Sequence, residues 1–190
     1  MLRNLVVLLF AASLPSQTTT QPAPVLYEDP EAYAVYSSIL AMGKQPRETF
    51  VADTTVSFNQ CLPDDPTEEV GETVANYKEA NQTRRALKWE LRLPGPYKLV
   101  PFSDKLFAPS SGAEGNTPSS FRVYRFSAVG FNQSKTLALV VMDFVCGKLC
   151  GQGQALLLEK KKEQWVKYDP APRKSPDGSL SSSSECLWIY

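Results

Sequence analysis

No histidine occurs in the 190 residues, which removes every chemistry that runs on imidazole: Ser-His-Asp and Cys-His nucleophile pairs, His-ligated zinc and a histidine pH switch. An excess of one charge sign is also lacking, with 20 Lys+Arg against 20 Asp+Glu. No electrostatic drive therefore exists toward nucleic acid or an anionic membrane surface, both of which favour clustered positive charge. No apolar run reaches the roughly twenty residues that span a bilayer. Cysteine is sparse, four in all, and the first is Cys61, so lipid attachment at a processed N-terminal cysteine is not available. What is present, 43% hydrophobic and 11% aromatic residues, is the make-up of a single globular domain with its own core.

The longest apolar stretch, Leu5-Val6-Val7-Leu8-Leu9-Phe10-Ala11-Ala12, follows Arg3 and precedes Ser13-Leu14-Pro15-Ser16. A positive start, a short apolar centre and a small-residue break are the parts of a signal peptide, and the run is too short for a membrane anchor. Residues 1–20 are expected to be that signal, cleaved near Ser16, with residues 21–28 a disordered lead-in. Thr, Gln and Pro dominate residues 17–24. The mature chain is expected to be exported, to a periplasm or outside the cell, with no transmembrane segment.

Export makes the cysteines interpretable, since thiols in an oxidising compartment usually end as disulfides. Two hydrophobic runs flank Cys146-Gly147-Lys148-Leu149-Cys150-Gly151-Gln152-Gly153, a glycine-punctuated hairpin pattern. Pairing of the strands sets Cys146 against Cys150 and leaves Cys61 for Cys186. In the chain-entropy picture the short loop contributes about 2 kcal/mol and the long one about 4 to 5 kcal/mol. A redox dithiol is the first alternative, but it normally has two residues between the cysteines at a helix start. Zinc is the second, and it would need Cys61 and Cys186, which show no paired spacing.

Asp29-Pro30 is an N-cap followed by proline at the first helical position, and Ala32, Val35, Tyr36, Ile39 and Leu40 recur at helical spacing up to Gly43. A helix is expected over 30–42. Residues 49–58, rich in β-branched and aromatic side chains, read as a strand. Glu68 and Glu69 open a second helix over 67–84, whose terminal Arg84 and Arg85 suit the macrodipole. Prolines confine residues 97–100 to a short edge strand. Residues 108–120 form a Ser/Gly/Pro loop, an inert insertion or a lid. Strands over 121–126, 136–145, 154–160 and 164–168 then follow with tight turns, and Lys160-Lys161-Lys162-Glu163 is read as a solvated turn rather than an anion-binding patch.

Ser127-Ala128-Val129-Gly130-Phe131-Asn132, Ala138-Leu139-Val140-Val141, the Cys146 to Gly153 segment, and Leu157-Leu158-Glu159-Lys160 followed by Trp165-Val166 carry a resemblance. In this order they resemble a family of exported bacterial proteins of unknown function with V-G-F-N, A-L-V, C-G-x-L-C-G-x-G and L-L-E-K segments followed by a tryptophan. The match covers about residues 121–168. It implies export and the hairpin, and no reaction or cofactor. Asn81-Gln82-Thr83 and Asn132-Gln133-Ser134 match the glycosylation acceptor pattern, which a bacterial source makes moot.

The expected fold is α+β: two N-terminal helices packed on one face of an antiparallel meander of about four to six strands, the bridged hairpin at one edge. Residues 29–169 form one domain and 170–190 an irregular segment tethered by Cys186. By fold-level analogy this is a cystatin-like or nuclear-transport-factor-like cone. The leading functional expectation is a non-catalytic binding or structural module of the cell envelope or of a small ligand, with no cofactor, metal or catalytic residue assigned. The alternative is a hydrolase that uses a carboxylate pair, for which Asp53, Asp104, Glu114 and Asp143 are candidates. Strand alternation lets Asp143 sit on a solvent face or near the hairpin end, which is preferred to a catalytic role; pointing inward, it would need a partner or a raised pKa.

Overall fold

A computed structural model describes residues 23–43, 48–58, 62, 67–102, 122–147, 150–169, 173–174, 180–181 and 187–189. The expected signal segment, the loop over 108–120, Asp104, Glu114, Cys61 and Cys186 lie outside the described residues. The elements run β1 (Val25–Leu26), α1 (Pro30–Met42), β2 (Thr49–Ala52), α2 (Glu68–Ala80), β3 (Arg85–Ala86), β4 (Tyr97–Val100) and β5 (Val123–Phe126). They continue through β6 (Gly130–Phe131), β7 (Leu137–Gly147), β8 (Cys150–Lys161), β9 (Gln164–Lys167), β10 (Arg173–Lys174), β11 (Leu180–Ser181) and β12 (Leu187–Ile189).

The first helix begins where its cap predicts, and the second begins at Glu68, one residue after its expected start. Asp29 Oδ1 accepts from the Glu31 amide at 3.0 Å, and Pro30 occupies the first turn. Thr67 caps α2, which buries Val70, Thr73, Val74 and Tyr77 at helical spacing. The second helix ends at Ala80, not at residue 84. Asn81 leaves it because its side chain is claimed elsewhere: Nδ2 donates to Ala128 O at 2.9 Å and Oδ1 accepts from Ala128 N at 2.8 Å. Arg85 is thus a strand residue and no complement to the helix dipole.

The β7–β8 hairpin is the spine of the sheet, whose order is β12-β8-β7-β5-β2-β4, with β6 added to β7 and β9 to β8. It is a mixed sheet, which corrects the expected antiparallel meander: β2 runs parallel to both β4 and β5. Placing α2 between β2 and β4 supplies the long crossover that parallel neighbours need. At the last hairpin turn Lys162 and Glu163 take φ of 50° and 64°, the left-handed pair that a two-residue connection between twisted strands demands. Lys160 is tied to Glu31 at 3.1 Å and Lys161 to Glu159 at 2.6 Å. These two lysines therefore serve the turn and the helix.

The helices do not share a face. Along β7, Ala138, Val140 and Met142 belong to one core with Val35, Tyr36 and Leu40 of α1, whereas Leu137, Leu139 and Val141 belong to a second core with Val70, Val74 and Tyr77 of α2. Alternate side chains of a strand point to opposite faces, so the spine is covered by α1 on one side and α2 on the other. The cone analogy, which rested on both helices lying on one face, loses that ground.

Two terminal segments are also more ordered than expected. Val25–Leu26 pairs in parallel with Arg85–Ala86, the Tyr27 amide donates to Ala86 O at 2.8 Å, and the Tyr27 ring is buried. A buried aromatic and paired backbone fix residues 25–27, which the composition of the stretch before them had assigned to disordered lead-in. Leu187–Ile189 adds antiparallel to Gln152–Gln154. The first half of β8 otherwise presents an unpaired edge, so this stretch is strand rather than irregular chain.

Buried tyrosines bind these layers. Tyr36 donates its hydroxyl to Ser127 O at 2.7 Å, Tyr33 donates to Tyr27 O at 2.9 Å, and Tyr27 Oη accepts from the Val129 amide at 3.0 Å. Burial, the dominant cause, pushes Tyr27 up from 10.0 to about 12, and Tyr33 and Tyr36 move in the same direction for the same reason. The folded state then holds these protons more tightly than the unfolded chain. Their stabilisation is complete below pH 10 and is lost as pH rises toward 12. Titration by tyrosinate absorbance is expected to show these rings ionising together with loss of structure inside that window. Ionisation of every tyrosine near pH 10 with the fold intact would contradict this.

Candidate functional site

Three places gather the residues that carry chemistry. At the hairpin tip, Cys146 and Cys150 are joined, with Cα atoms 5.1 Å apart, at a register irregularity between Val145 and Gly147. Both cysteines are on strands, so the helix N-terminus that would activate a redox thiol is missing there. The bond is a staple closing a short loop, as the spacing predicts. The second proposed pairing lies outside the described residues. Among the described residues, no three Cys, Asp or Glu side chains converge as a metal site.

The second place is Asp143. Its expected solvent position is overturned: Asp143 is 0% exposed and faces the α2 side of the sheet, in line with Leu139 and Val141. Arg125 stands directly opposite on β5 and forms a two-pronged bond, Nε to Oδ1 at 2.7 Å and Nη2 to Oδ2. The guanidinium is itself 16% exposed and stacks 4.5 Å from the Phe102 ring centre and 5.9 Å from Phe58. A planar fork matched to a carboxylate and sandwiched by aromatic rings is the geometry in which a buried charge pair is tolerated. On its other side Asp143 meets Gly153 in register, a residue without a side chain. The carboxylate is committed to architecture. Asp53, another hydrolase candidate, follows β2 and holds Val100 and Leu87 through its backbone N–H and C=O.

The third place is an open cleft of about 520 Å³ beside the N-terminus of α1. One wall is β1 with Tyr27, Glu28 and Asp29. The opposite wall is Asn76 and Ala80 of α2 with Val129, Phe131 and Lys135, and Arg85 of β3 lies between. Val25 and Leu26 are 58% and 46% exposed, so the cleft carries apolar side chains beside its charged groups. The charged groups are unequally satisfied. Asp29 pairs with Lys135 at 3.0 Å and Glu28 with Lys88 at 3.5 Å. Arg85 lies over the Tyr27 ring, its Cζ 5.3 Å from the ring centre, and its buried Nε has no hydrogen-bond partner.

The two acceptor patterns for glycosylation are taken up by folding. Asn81 clamps Ala128, and Asn132 Oδ1 accepts from the Thr136 and Leu137 amides at 2.8 and 2.9 Å. Both side chains are buried. Nothing in the pattern reading singled out the cleft, because its residues come from four separate segments and only their assembly leaves Arg85 unpaired. No family model, no curated protein and no solved structure matches this chain.

Proposed function

We infer that the chain is an exported, disulfide-stapled binding module, non-catalytic, and of the exported bacterial family that it resembles. The observation that carries this reading is the distribution of charge partners. The carboxylates Asp143, Asp29 and Glu31 each have a cationic partner at hydrogen-bond distance, while among the described residues the Arg85 guanidinium of the cleft has no carboxylate at ion-pair distance and its buried Nε has no hydrogen-bond partner. A hydrolase of the carboxylate-pair type requires two acids free to exchange protons with substrate and water. A binding module requires a concave surface with a few directed polar groups, and the cleft supplies this. The Cys146–Cys150 bond supports export, since disulfides persist where the medium is oxidising.

The test is made on protein recovered from the culture medium and envelope fraction of its own source. Non-reduced peptide mapping is expected to find Cys146 linked to Cys150, and the protein is expected to turn over no aryl glycoside or envelope polysaccharide. Turnover that Asp53→Asn abolishes would overturn the reading in favour of the hydrolase. So would recovery of the chain from the cytoplasm with free thiols, as regards export.

A further inference from the structure

A guanidinium has five N–H donors in a plane and is never neutral at physiological pH, so it is rarely left without an acceptor when part of it is removed from water. Arg85 is such a case. Its Nε is buried without a partner, and among the described residues no carboxylate lies within ion-pair distance of it. The two acids of the cleft cannot be counted toward it. Asp29 is engaged by Lys135 and by the Glu31 amide, and Glu28 by Lys88. Of the two cations in the lining, Arg85 is then the one without a carboxylate partner among the described residues. Its planar head rests on the Tyr27 ring, which limits its freedom and sets the plane in which it can donate.

Apolar side chains share the lining with the polar groups. Val25 and Leu26 expose their side chains at the mouth, and Val129 and Phe131 line the opposite wall. Asn76 Oδ1 is occupied by the Phe131 amide at 2.8 Å, so Asn76 brings an amide NH2, a donor, rather than a free acceptor. Donors and apolar surface together ask for a ligand with an acceptor head and an apolar body.

We propose that this cleft binds a small monoanionic carboxylate with a short apolar tail, its carboxylate on Arg85 and its tail against Val25, Leu26 and Phe131. The guanidinium that lacks a carboxylate partner takes one negative charge, and its planar fork matches the two oxygens of a carboxylate. This rests on the binding-module reading and specifies its ligand class.

Octanoate, octanol and octyl phosphate, titrated into the mature protein and followed by backbone amide shifts, provide the test. Octanoate is expected to bind saturably and to shift Tyr27, Val129 and Phe131, with octanol weaker by at least about tenfold because it lacks the charge-assisted bond. Arg85→Gln is expected to weaken octanoate by a similar factor, about tenfold or more, and Arg85→Lys to fall between, keeping the charge but losing the fork. Should Arg85→Gln fail to fold, Leu26→Glu serves instead: the position is exposed, and a negative charge there is expected to weaken octanoate by a larger factor than octanol, which loses only the apolar contact. Octanol binding as tightly as octanoate, indifference of octanoate to both substitutions, or no saturable shift at these amides would overturn the proposal. Tighter binding of octyl phosphate with the same dependence on Arg85 would overturn the carboxylate class and leave the binding module standing. Glycoside turnover would instead strike the module reading itself.

Discussion

Replacement of Arg125 by leucine is expected to destabilise the protein by about 3 to 5 kcal/mol, the cost of stranding a carboxylate in a dry interior. Asp143 is fully buried, and Gly153 opposite it offers no side chain to take over the work of the guanidinium. Asp143→Leu alone is expected to be similarly harmful, because it leaves Arg125 without its main acceptor between Phe102 and Phe58. The informative variant is the double substitution Arg125→Leu/Asp143→Leu. Removing both charges is expected to restore much of the loss, since an apolar pair of similar volume often does as well as a buried ion pair. Denaturant unfolding of the four proteins closes the cycle. Additive losses, with no recovery in the double variant, would mean that the two residues do not act as a pair.

Gly130→Ala is expected to cost about 3 kcal/mol, at the upper end of what overpacking usually does. A Cβ built at Gly130 falls far inside van der Waals contact with the backbone N and Cα of Tyr77. The obstacle is a helix backbone, which cannot rotate out of the way as a side chain can. Nor can α2 retreat at small cost. Asn81 grips both polar atoms of the Ala128 peptide and Asn76 accepts from the Phe131 amide, so the helix is fastened on either side of the contact. Gly95→Ala is the natural control, because nothing lies within 4 Å of the added atom, and its effect is expected to stay within about 0.5 kcal/mol. Equal effects of the two substitutions would dissociate Gly130 from helix docking. The same contact gives a physical reason for glycine within the Val129-Gly130-Phe131-Asn132 segment.

Local features of the fold were readable from the chain, and long-range ones were not. Asp29-Pro30 and the Glu68-Glu69 pair mark helix starts through chemistry that operates within a turn, and the glycines around Cys146 and Cys150 mark a hairpin in the same way. The end of α2 was misjudged because Asn81 answers to Ala128, far along the sequence. Asp143 was misplaced by assuming that β7 has one wet face. Its unbroken apolar run from Leu137 to Met142 is what a strand covered on both faces requires, and in that setting a lone acid needs a buried partner. Parallel pairing of β2 with β4 and β5 is invisible to alternation, which carries the same period in either direction. β1 is two residues long, too short to show any period. Arg85 belongs to that class as well: a basic residue after a helix suggests dipole compensation, and only the three-dimensional neighbourhood reveals a cation without an acceptor.

A hairpin roofed by one helix and floored by another offers no broad flat sheet for a visiting molecule to lie upon. Along β7 and β8 the layers are spent on each other, so among the described residues the exposed chemistry lies where the layers end: the gap beside β1 and the stapled tip. The architecture thereby lodges durability in the middle, and substitutions at the perimeter are the ones it can absorb without dismantling the core.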